Sequence, residues 1–205
     1  MTARDDRSGL QVRGARPAEW SDLGRVLGGA FQDDPIWSWI CPDPDRRREH
    51  LAGLFAQLIK ARVASGWGWT TELQEGAAVW AAPGAWKTGT SEMLRCAVPA
   101  IRAAGLGNLR TRIGALTQME KAHPREPHWY LEFLAARVDL RGKGVGSTLM
   151  APMIERCDTE GMPAYLESSK EENLAFYHRF GFEVTEEAVI APGCPPLWRM
   201  WRNPH

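Results

Sequence analysis

The sequence has no excess of either charge. Lysine and arginine total 25, as do aspartate and glutamate, so the formal net charge is zero. This balance argues against general nucleic-acid binding, because a protein that binds phosphates broadly carries a basic surface. No apolar run approaches the roughly 18 residues of a membrane span, so no membrane partner is expected. Met1 to Gly9 is polar without an apolar signal core, which predicts a flexible N-terminus and a cytoplasmic protein.

Cysteine is also scarce. The four cysteines lie far apart, with no C-x-x-C pair and no histidine at metal-ligand spacing. We therefore expect buried, reduced thiols and no metal ion. Internal repeats, low-complexity segments and linkers are absent too. Residues 1–205 are accordingly predicted to form a single domain, either a monomer or a homodimer.

The most informative segment is rich in glycine and lies between an apolar run and an amphipathic run. Three glycines remove side chains where the backbone turns and approaches a ligand, and the predicted helix over 144–160 presents unpaired N–H groups to negative charge. Alone, such a turn is more often a simple connection. As an anion site it suits pyrophosphate, and its expected contacts are the side chains of Arg141 and Lys143 and the backbone amides of Gly142, Gly144, Val145, Gly146 and Ser147.

Two common pyrophosphate motifs do not fit this segment. The Rossmann pattern needs G-x-G-x-x-G and a later acidic residue, whereas Gly142, Gly144 and Gly146 are evenly spaced. The P-loop needs a closing Gly-Lys-Ser/Thr, whereas Lys143 precedes the last two glycines.

The pattern R-x-x-G-x-G, formed by Arg141, Gly144 and Gly146, resembles the coenzyme A loop of the GNAT superfamily of N-acetyltransferases. Asn173 and the run Phe176 to Phe182 match the N-x-x-F-Y-x-x-x-G-F pattern of that superfamily at the usual distance downstream. The resemblance is closest to puromycin N-acetyltransferase-like proteins and runs from about Pro124 to Pro204. It includes Tyr165 to Ser169 and Leu197 to Met200.

The resemblance implies the α/β (α+β) GNAT fold, with a single mixed, mostly antiparallel central sheet flanked by helices and with splayed central parallel strands. It implies acetyl-coenzyme A (acetyl-CoA) as the co-substrate. The main chain of Leu134, Ala135 and Ala136 would pair with the pantetheine arm, and an amide of Ala135 or Ala136 would polarise the thioester oxygen. Asn173 would hydrogen-bond the coenzyme arm. Tyr177 would be the general acid, the alternative being a core tyrosine.

Two carboxylates are candidates for the general base, and an ordered water chain that takes the proton of the amine is the alternative to both. Alternation along the apolar strand from Trp129 to Arg137 places Tyr130, Glu132, Leu134 and Ala136 on one face, so Glu132 projects from a buried strand. A pair with a buried arginine, or a strand end near solvent, would explain Glu132 equally well. Glu167 matches the puromycin-acetyltransferase-like pattern and is the favoured shared feature. Either carboxylate could instead bind a cationic substrate.

The acceptor side is predicted from the upstream half of the sequence. Residues 33–42 read as an aromatic loop that borders the acceptor pocket in the resembling family, and Phe31, Trp37 and Trp39 are the candidate substrate-binding residues, although ordinary packing is the alternative. Residues 91–122 are expected to be mostly helical, either as a roof over the pocket or as a purely structural layer. His123 and His128 are expected at the surface, and Ser169 with Glu172 predicts a capping box.

These features predict an enzyme that moves an acetyl group from acetyl-CoA to a primary amine, most simply of a small molecule, by direct attack in a ternary complex. Two alternatives remain open. One is a non-catalytic acyl-CoA binding or regulatory domain, and the other is acetylation of a protein amine.

Overall fold

The computed structural model describes residues 10–107 and 109–205, so the predicted flexible segment 1–9 lies outside it. The helices are α1 (Trp20–Ala30), α2 (Pro35–Ile40), α3 (Pro44–Ala64), α4 (Thr90–Ala104), α5 (Leu109–Ala122), α6 (Val145–Glu160) and α7 (Leu174–His178). The strands are β1 (Val12–Gly14), β2 (Gly68–Thr71), β3 (Gly76–Ala81), β4 (Trp129–Ala136), β5 (Ala164–Ser168), β6 (Glu183–Ala188) and β7 (Leu197–Arg202).

The described strands form one mixed sheet in the order β1-β2-β3-β4-β5-β7-β6. Only β4 and β5 are parallel among these neighbours, and the remaining pairs are antiparallel. This topology confirms the predicted fold class of one mixed, mostly antiparallel sheet with a central parallel pair. No helix in the described part of the chain has the length and apolarity that crossing a membrane requires.

Helices cover both faces of the sheet. α1 and α3 pack on one face through a core that includes Leu23, Leu27, Phe55 and Ile59. α6 packs on the other face through Val145, Leu149 and Met153. The strand β4 therefore lies at the centre of the molecule, with a hydrophobic layer on each side.

Two local predictions need correction. The supposed aromatic loop contains the short helix α2, which Asp34 begins by accepting a hydrogen bond from the backbone N–H of Trp37. The capping box of Ser169 and Glu172 does not form, and Lys170 stands at the N-terminus of a 3-10 turn over Glu171–Asn173 without a side-chain cap. The predicted stop at Gly181 is confirmed, since this residue has φ of 82° directly after the helical turns.

Candidate active site

The centre of the sheet opens between its two parallel strands. β4 and β5 pair only from Trp129 and Ala164 as far as Leu131 and Leu166. Beyond that point β4 continues to Ala136 alongside β3 only, and β5 continues to Ser168 alongside β7. The two strands therefore separate and leave one edge of β4 without a strand partner among the described residues. Such an edge carries unpaired main-chain groups that an extended ligand can use.

A β-bulge lies at the point of separation. Val79 pairs with Phe133 and Trp80 pairs with Leu131, so the register passes over Glu132. The bulge changes which face each later residue occupies. Phe133 and Ala135 pack towards α1 and α3, whereas Leu134 and Ala136 pack towards α6. The predicted alternation, which placed Leu134 and Ala136 on the face of Glu132, was wrong because it assumed a regular strand.

Glu132 is held by an arginine from α3. The Nε and Nη2 atoms of Arg62 lie 2.9 Å and 2.8 Å from the same oxygen, Oε1 of Glu132. Among residues 10–107 and 109–205, no group donates a hydrogen bond to Oε2. Burial raises the pKa of Glu132 to about 7, with a smaller contribution from the Glu92 carboxylate, and Arg62 only partly offsets that rise. The buried arginine partner weighed as one explanation of Glu132 is therefore present, yet the carboxyl still titrates near neutrality.

Glu167 has different surroundings. The hydroxyl of Tyr130 donates to Oε2 at 2.9 Å, and the hydroxyl of Tyr165 donates to Oε1 at 3.0 Å. Arg199 faces Glu167 from the neighbouring strand, but its guanidinium also pairs with Glu186. Burial raises the pKa of Glu167, and the two tyrosine hydroxyls oppose that rise. Both oxygens of this carboxylate are thus occupied by side chains of the protein.

A buried histidine pair lies beside the two tyrosines, contrary to the expected surface position. His123 and His128 are 7% and 2% exposed, and their Nε2 atoms are 3.0 Å apart. The ring of His123 stacks on Trp86 at 3.7 Å and meets Tyr130 and Tyr165 edge to face. Burial lowers the pKa of His123 to about 3, helped by His128 and Arg199. The pair is therefore neutral and packs beside Tyr130 and Tyr165. In the sequence, only the position of the pair directly before the apolar strand 129–136 indicates this burial.

The glycine-rich turn before α6 has the geometry expected of an anion loop. Gly142 and Gly144 have φ of 76° and 86°, a left-handed conformation that favours glycine. Gly146 lies in the first turn of α6, where an added Cβ would make an ordinary 3.5 Å contact with Phe176, so its backbone alone does not require glycine. The first helical hydrogen bond runs from Thr148 to the carbonyl of Gly144. The amides of Val145, Gly146 and Ser147 precede it and have no partner within the helix.

The two cations of this loop differ in their contacts. Arg141 is exposed and donates through Nη2 to the carbonyl of Ala30, 2.8 Å away at the end of α1. This bond holds the loop against the helix that leads to the predicted acceptor segment. Lys143 is exposed at the tip of the turn. Neither cation is buried, as expected for groups that meet a soluble anion.

Asn173 and Tyr177 lie one turn apart beyond β5. Asn173 is exposed and closes the 3-10 turn, and Tyr177 lies on α7 with its ring against Phe176 and Phe182. Burial raises the pKa of Tyr177, and the carboxylate of Asp34 raises it further. The phenol therefore keeps its proton throughout the neutral range.

Sequence reasoning missed Asp34 and Ser169. Asp34 is only 3% exposed, caps α2 through Oδ1 and accepts the hydroxyl hydrogen of Ser169 through Oδ2. Burial raises the pKa of Asp34, while Ser169 and Trp37 lower it. This contact joins the segment before α2 to the segment after β5. The sequence Asp33-Asp34-Pro35 is a helix-start signal, but nothing in it indicates a partner 135 residues away.

The predicted aromatic substrate residues do not lie together. Phe31 and Trp37 join Phe55 and Phe133 in one cluster, with ring centroids 4.6–6.4 Å apart. This cluster adjoins Glu132 through the neighbouring residue Phe133. Trp39 packs elsewhere, against the group formed by Ile36, Ala115, Ile190, Cys194 and Leu197.

An open cleft of about 640 Å³ lies at the end of β5 and is lined in part by Ser169, whose hydroxyl donates to Asp34. It is lined by Asp33, Pro35, Ser169, Lys170, Glu171, Glu172, Pro195, Pro196 and Trp198. The lining combines apolar rings with three carboxylates and one cation, Lys170, and it includes neither Glu132 nor Tyr177. A small molecule with an apolar body and a positive charge matches this lining.

Comparison with known proteins agrees with this geometry. Residues 100–182 match the model of the acetyltransferase (GNAT) family, and this range contains the separated strands, the glycine-rich turn and Tyr177. Over this part of its length, about two fifths of the chain, the protein is similar to the GNAT family. Members of that family are N-acetyltransferases that use acetyl-CoA as their co-substrate.

Similar proteins come from distant organisms. An uncharacterised N-acetyltransferase of Schizosaccharomyces pombe is 26% identical over 182 residues, which cover 84% of this chain and 74% of the relative. A Corynebacterium glutamicum crystal structure, described as histone acetyltransferase HPA2 and related acetyltransferase, is 26% identical with a TM-score of 0.69, covering 96% of this chain and 97% of that one. The polyamine N-acetyltransferase of Drosophila melanogaster, which forms N-acetylagmatine, shares the GNAT fold at 16% identity, with a TM-score of 0.66 and coverage of 95% and 99%.

Proposed function

We propose that this protein is a GNAT-type enzyme that transfers the acetyl group of acetyl-CoA to a primary amine of a small molecule, by direct attack in a ternary complex. The observation that carries the proposal is the separation of β4 from β5 directly before Glu132. That separation brings an open strand edge and a carboxyl group with pKa of about 7 to the same place. A thioester lying along the edge would meet an amine whose proton Glu132 can accept.

The coenzyme would bind along the two features that precede α6. The amides of Gly142, Gly144, Val145, Gly146 and Ser147, with Arg141 and Lys143, would hold the pyrophosphate at a helix N-terminus. The pantetheine arm would pair with the main chain of Leu134, Ala135 and Ala136, and Asn173 would hydrogen-bond it from the other side. A free amide of Ala135 or Ala136 would polarise the thioester carbonyl.

We assign the role of general base to Glu132 rather than to Glu167. An aliphatic ammonium is a poor nucleophile near neutral pH, so a group with a matched pKa must take its proton. Glu132 has that pKa and an oxygen to which no described group donates. Glu167 has both oxygens occupied by tyrosine hydroxyls, which suits a framework role that fixes Tyr130 and Tyr165.

Tyr177 would complete the transfer as general acid. After Glu132 accepts one proton from the ammonium, the amine nitrogen forms a bond to the carbonyl carbon, and the carbon–sulfur bond then breaks. The thiolate would take the hydroxyl proton of Tyr177, and the second proton lost by the nitrogen would restore the phenol. In the net reaction, one ammonium and one thioester are converted to one amide, one thiol and one released proton.

Three observations favour a small amine over the alternatives. The cleft at the end of β5 is of small-molecule size, and its lining carries three carboxylates against one cation, Lys170. The Drosophila relative forms N-acetylagmatine, a small acetylated amine. Retention of both Tyr177 and a titratable Glu132 favours an enzyme over a non-catalytic acyl-CoA sensor. The likeness to puromycin N-acetyltransferase-like proteins covers the coenzyme half of the chain, so puromycin is one candidate acceptor among several.

The test is release of free thiol from acetyl-CoA with puromycin, agmatine, spermidine, phenethylamine, single amino acids and a lysine peptide. Coenzyme binding is measured in parallel by calorimetry. Turnover with one small amine supports the proposal. Turnover with the lysine peptide alone would move the activity to a protein amine, and coenzyme binding without turnover would favour the sensor.

Tyr177→Phe separates chemistry from binding. We expect unchanged coenzyme affinity and a loss of roughly 10²-fold or more in kcat, the usual scale for an acid–base group. Phe180→Tyr is a matched control, because it adds a hydroxyl three residues away without touching the assigned role. Equal turnover by Tyr177→Phe and the unaltered enzyme would remove the assignment.

A further inference from the structure

Arg62 is the only cation that contacts Glu132 among the described residues, and its geometry is uneven. Both Nε and Nη2 lie on Oε1, at 2.9 Å and 2.8 Å, rather than one on each oxygen as in the common paired arrangement. The guanidinium therefore binds one oxygen of the carboxylate and leaves Oε2 without a hydrogen-bond donor among the described residues. Both side chains are buried, at 11% and 12% exposure.

Arg62 is itself fixed in place. It lies in the last turn of α3, and Nη2 also donates to the backbone carbonyl of Trp86 at 3.1 Å. Trp86 in turn stacks on the buried ring of His123. One side chain thus connects α3, the segment between β3 and α4, and the bulge in β4. A guanidinium held at three points cannot follow the carboxylate if the latter rotates.

We propose that Arg62 is a positioning residue for acetyl transfer, which holds Glu132 by Oε1 so that Oε2 faces the acceptor amine and takes its proton. The inference rests on the role of Glu132 proposed above. It adds that the orientation and the charge of the base are set from α3, seventy residues away in the chain.

The charges around Glu132 make the effect of Arg62 predictable. Arg62 from α3 favours the ionised carboxylate, whereas Glu92 from α4 and the buried setting disfavour it. Tyr130 from the same strand is neutral, because burial raises its pKa. Removing Arg62 therefore leaves only influences that raise the pKa of Glu132. A carboxyl that stays protonated at neutral pH cannot accept the proton of an ammonium.

The direct test is a titration of the glutamate side-chain carboxyl carbons by NMR in the protein without ligand. The resonance that is missing in Glu132→Gln identifies Glu132. We expect its midpoint to rise by about one pH unit or more in Arg62→Met and by less in Arg62→Lys, which keeps a charge but not the two-nitrogen contact. An unchanged midpoint in Arg62→Met overturns the inference and leaves the proposed function standing.

The second measurement is the pH dependence of kcat/KM with whichever amine of the panel turns over. The acid limb should move upward with the NMR midpoint, in the order unaltered enzyme, Arg62→Lys, Arg62→Met. A moved midpoint with an unmoved limb overturns both the inference and the assignment of Glu132 as base. Arg62→Met with Glu132→Gln should be no slower than Glu132→Gln alone, because Arg62 acts through Glu132.

Arg13→Met is the matched control. Arg13 lies in β1, away from the separated strands, and forms a similarly enclosed pair with Glu19, at 2.8 Å and with 18% and 11% exposure. The Arg13→Met variant should be less stable than the unaltered protein, without a shift in the pH dependence of kcat/KM. A pH profile that moves equally in Arg13→Met would show a general effect of losing a buried ion pair and would overturn the inference.

Discussion

Two carboxylates on one face of the sheet differ in what surrounds them. Glu132 faces a charged guanidinium on one oxygen, whereas Glu167 accepts from two neutral phenols on both. A carboxylate that accepts hydrogen bonds on both oxygens holds its neighbours in place. A carboxylate with one oxygen free of donors can exchange a proton through that oxygen. At the scale of single residues, the base role proposed for Glu132 and the framework role proposed for Glu167 therefore differ by one oxygen that accepts no hydrogen bond from a described residue.

The raised pKa of Glu132 has a consequence for stability that needs no substrate. Its pKa rises from 4.5 when unfolded to about 7 when folded, so between these values the folded state binds more protons than the unfolded state. The free energy of unfolding therefore falls as the pH rises from about 4.5 to about 7, and it changes no further above that range. At about 1.36 kcal/mol per pH unit, this amounts to at most about 3 kcal/mol.

Chemical denaturation at a series of pH values would measure this effect. The unaltered protein should lose stability relative to Glu132→Gln between pH 5 and pH 7.5, while a constant offset reflects the unpaired Arg62 in the variant. Parallel curves for the two proteins would contradict the raised pKa.

At the scale of helices, the acceptor side depends on close packing of α1 against α3. A Cβ on Gly28 would lie 2.5 Å from Cα of Ala52, and one on Gly24 would lie 2.6 Å from Cα of Ala56. These contacts are with backbone, which cannot move aside as a flexible side chain would. The approach fixes the end of α1, and with it Phe31 and the start of α2.

Gly28→Ala should therefore destabilise the protein by about 1–3 kcal/mol, the usual cost of overpacking. For a chain of this length that corresponds to a fall in Tm of roughly 2–4 °C per kcal/mol. Gly29→Ala is the control on the same helix, since nothing lies within 4 Å of its added Cβ. It should be neutral or slightly stabilising. Equal Tm values for the two variants, measured by calorimetry, would mean that the helices can separate at little cost.

The same scale shows where sequence reasoning succeeded and where it failed. Periodicity located α1, α3, α6 and the strand β4, because their apolar spacing reflects burial directly. It could not show the bulge at Glu132, because a bulge depends on pairing with β3. The capping box failed for a related reason: Ser169 is hydrogen-bonded to Asp34, which is distant in sequence, and local rules do not include such competitors.

At the scale of the molecule, the sheet and its separated strands were implied by the resemblance to a known family, which the motifs beside the separation carry. The partners that tune the site could not be predicted in this way. Arg62, Trp86 and His123 come from three other segments and meet only when helices cover the sheet. The chemistry of a site is thus easier to read from sequence than its electrostatic environment, which is a property of the whole fold.

Binding of acetyl-CoA should raise the thermal stability of the whole protein. A ligand that binds only the folded state stabilises it by about 2.7 kcal/mol at a concentration of one hundred times Kd, so acetyl-CoA at that excess should raise Tm by roughly 5–10 °C. Because Lys143 lies exposed at the tip of the glycine-rich turn, Lys143→Met should shrink this rise at a fixed acetyl-CoA concentration without changing Tm in its absence. Lys60→Met, on α3 with its ammonium over the ring of Trp20, is the control and should keep the full rise. An equal rise in both variants would separate Lys143 from the coenzyme, and no rise in the unaltered protein would contradict the coenzyme site before α6.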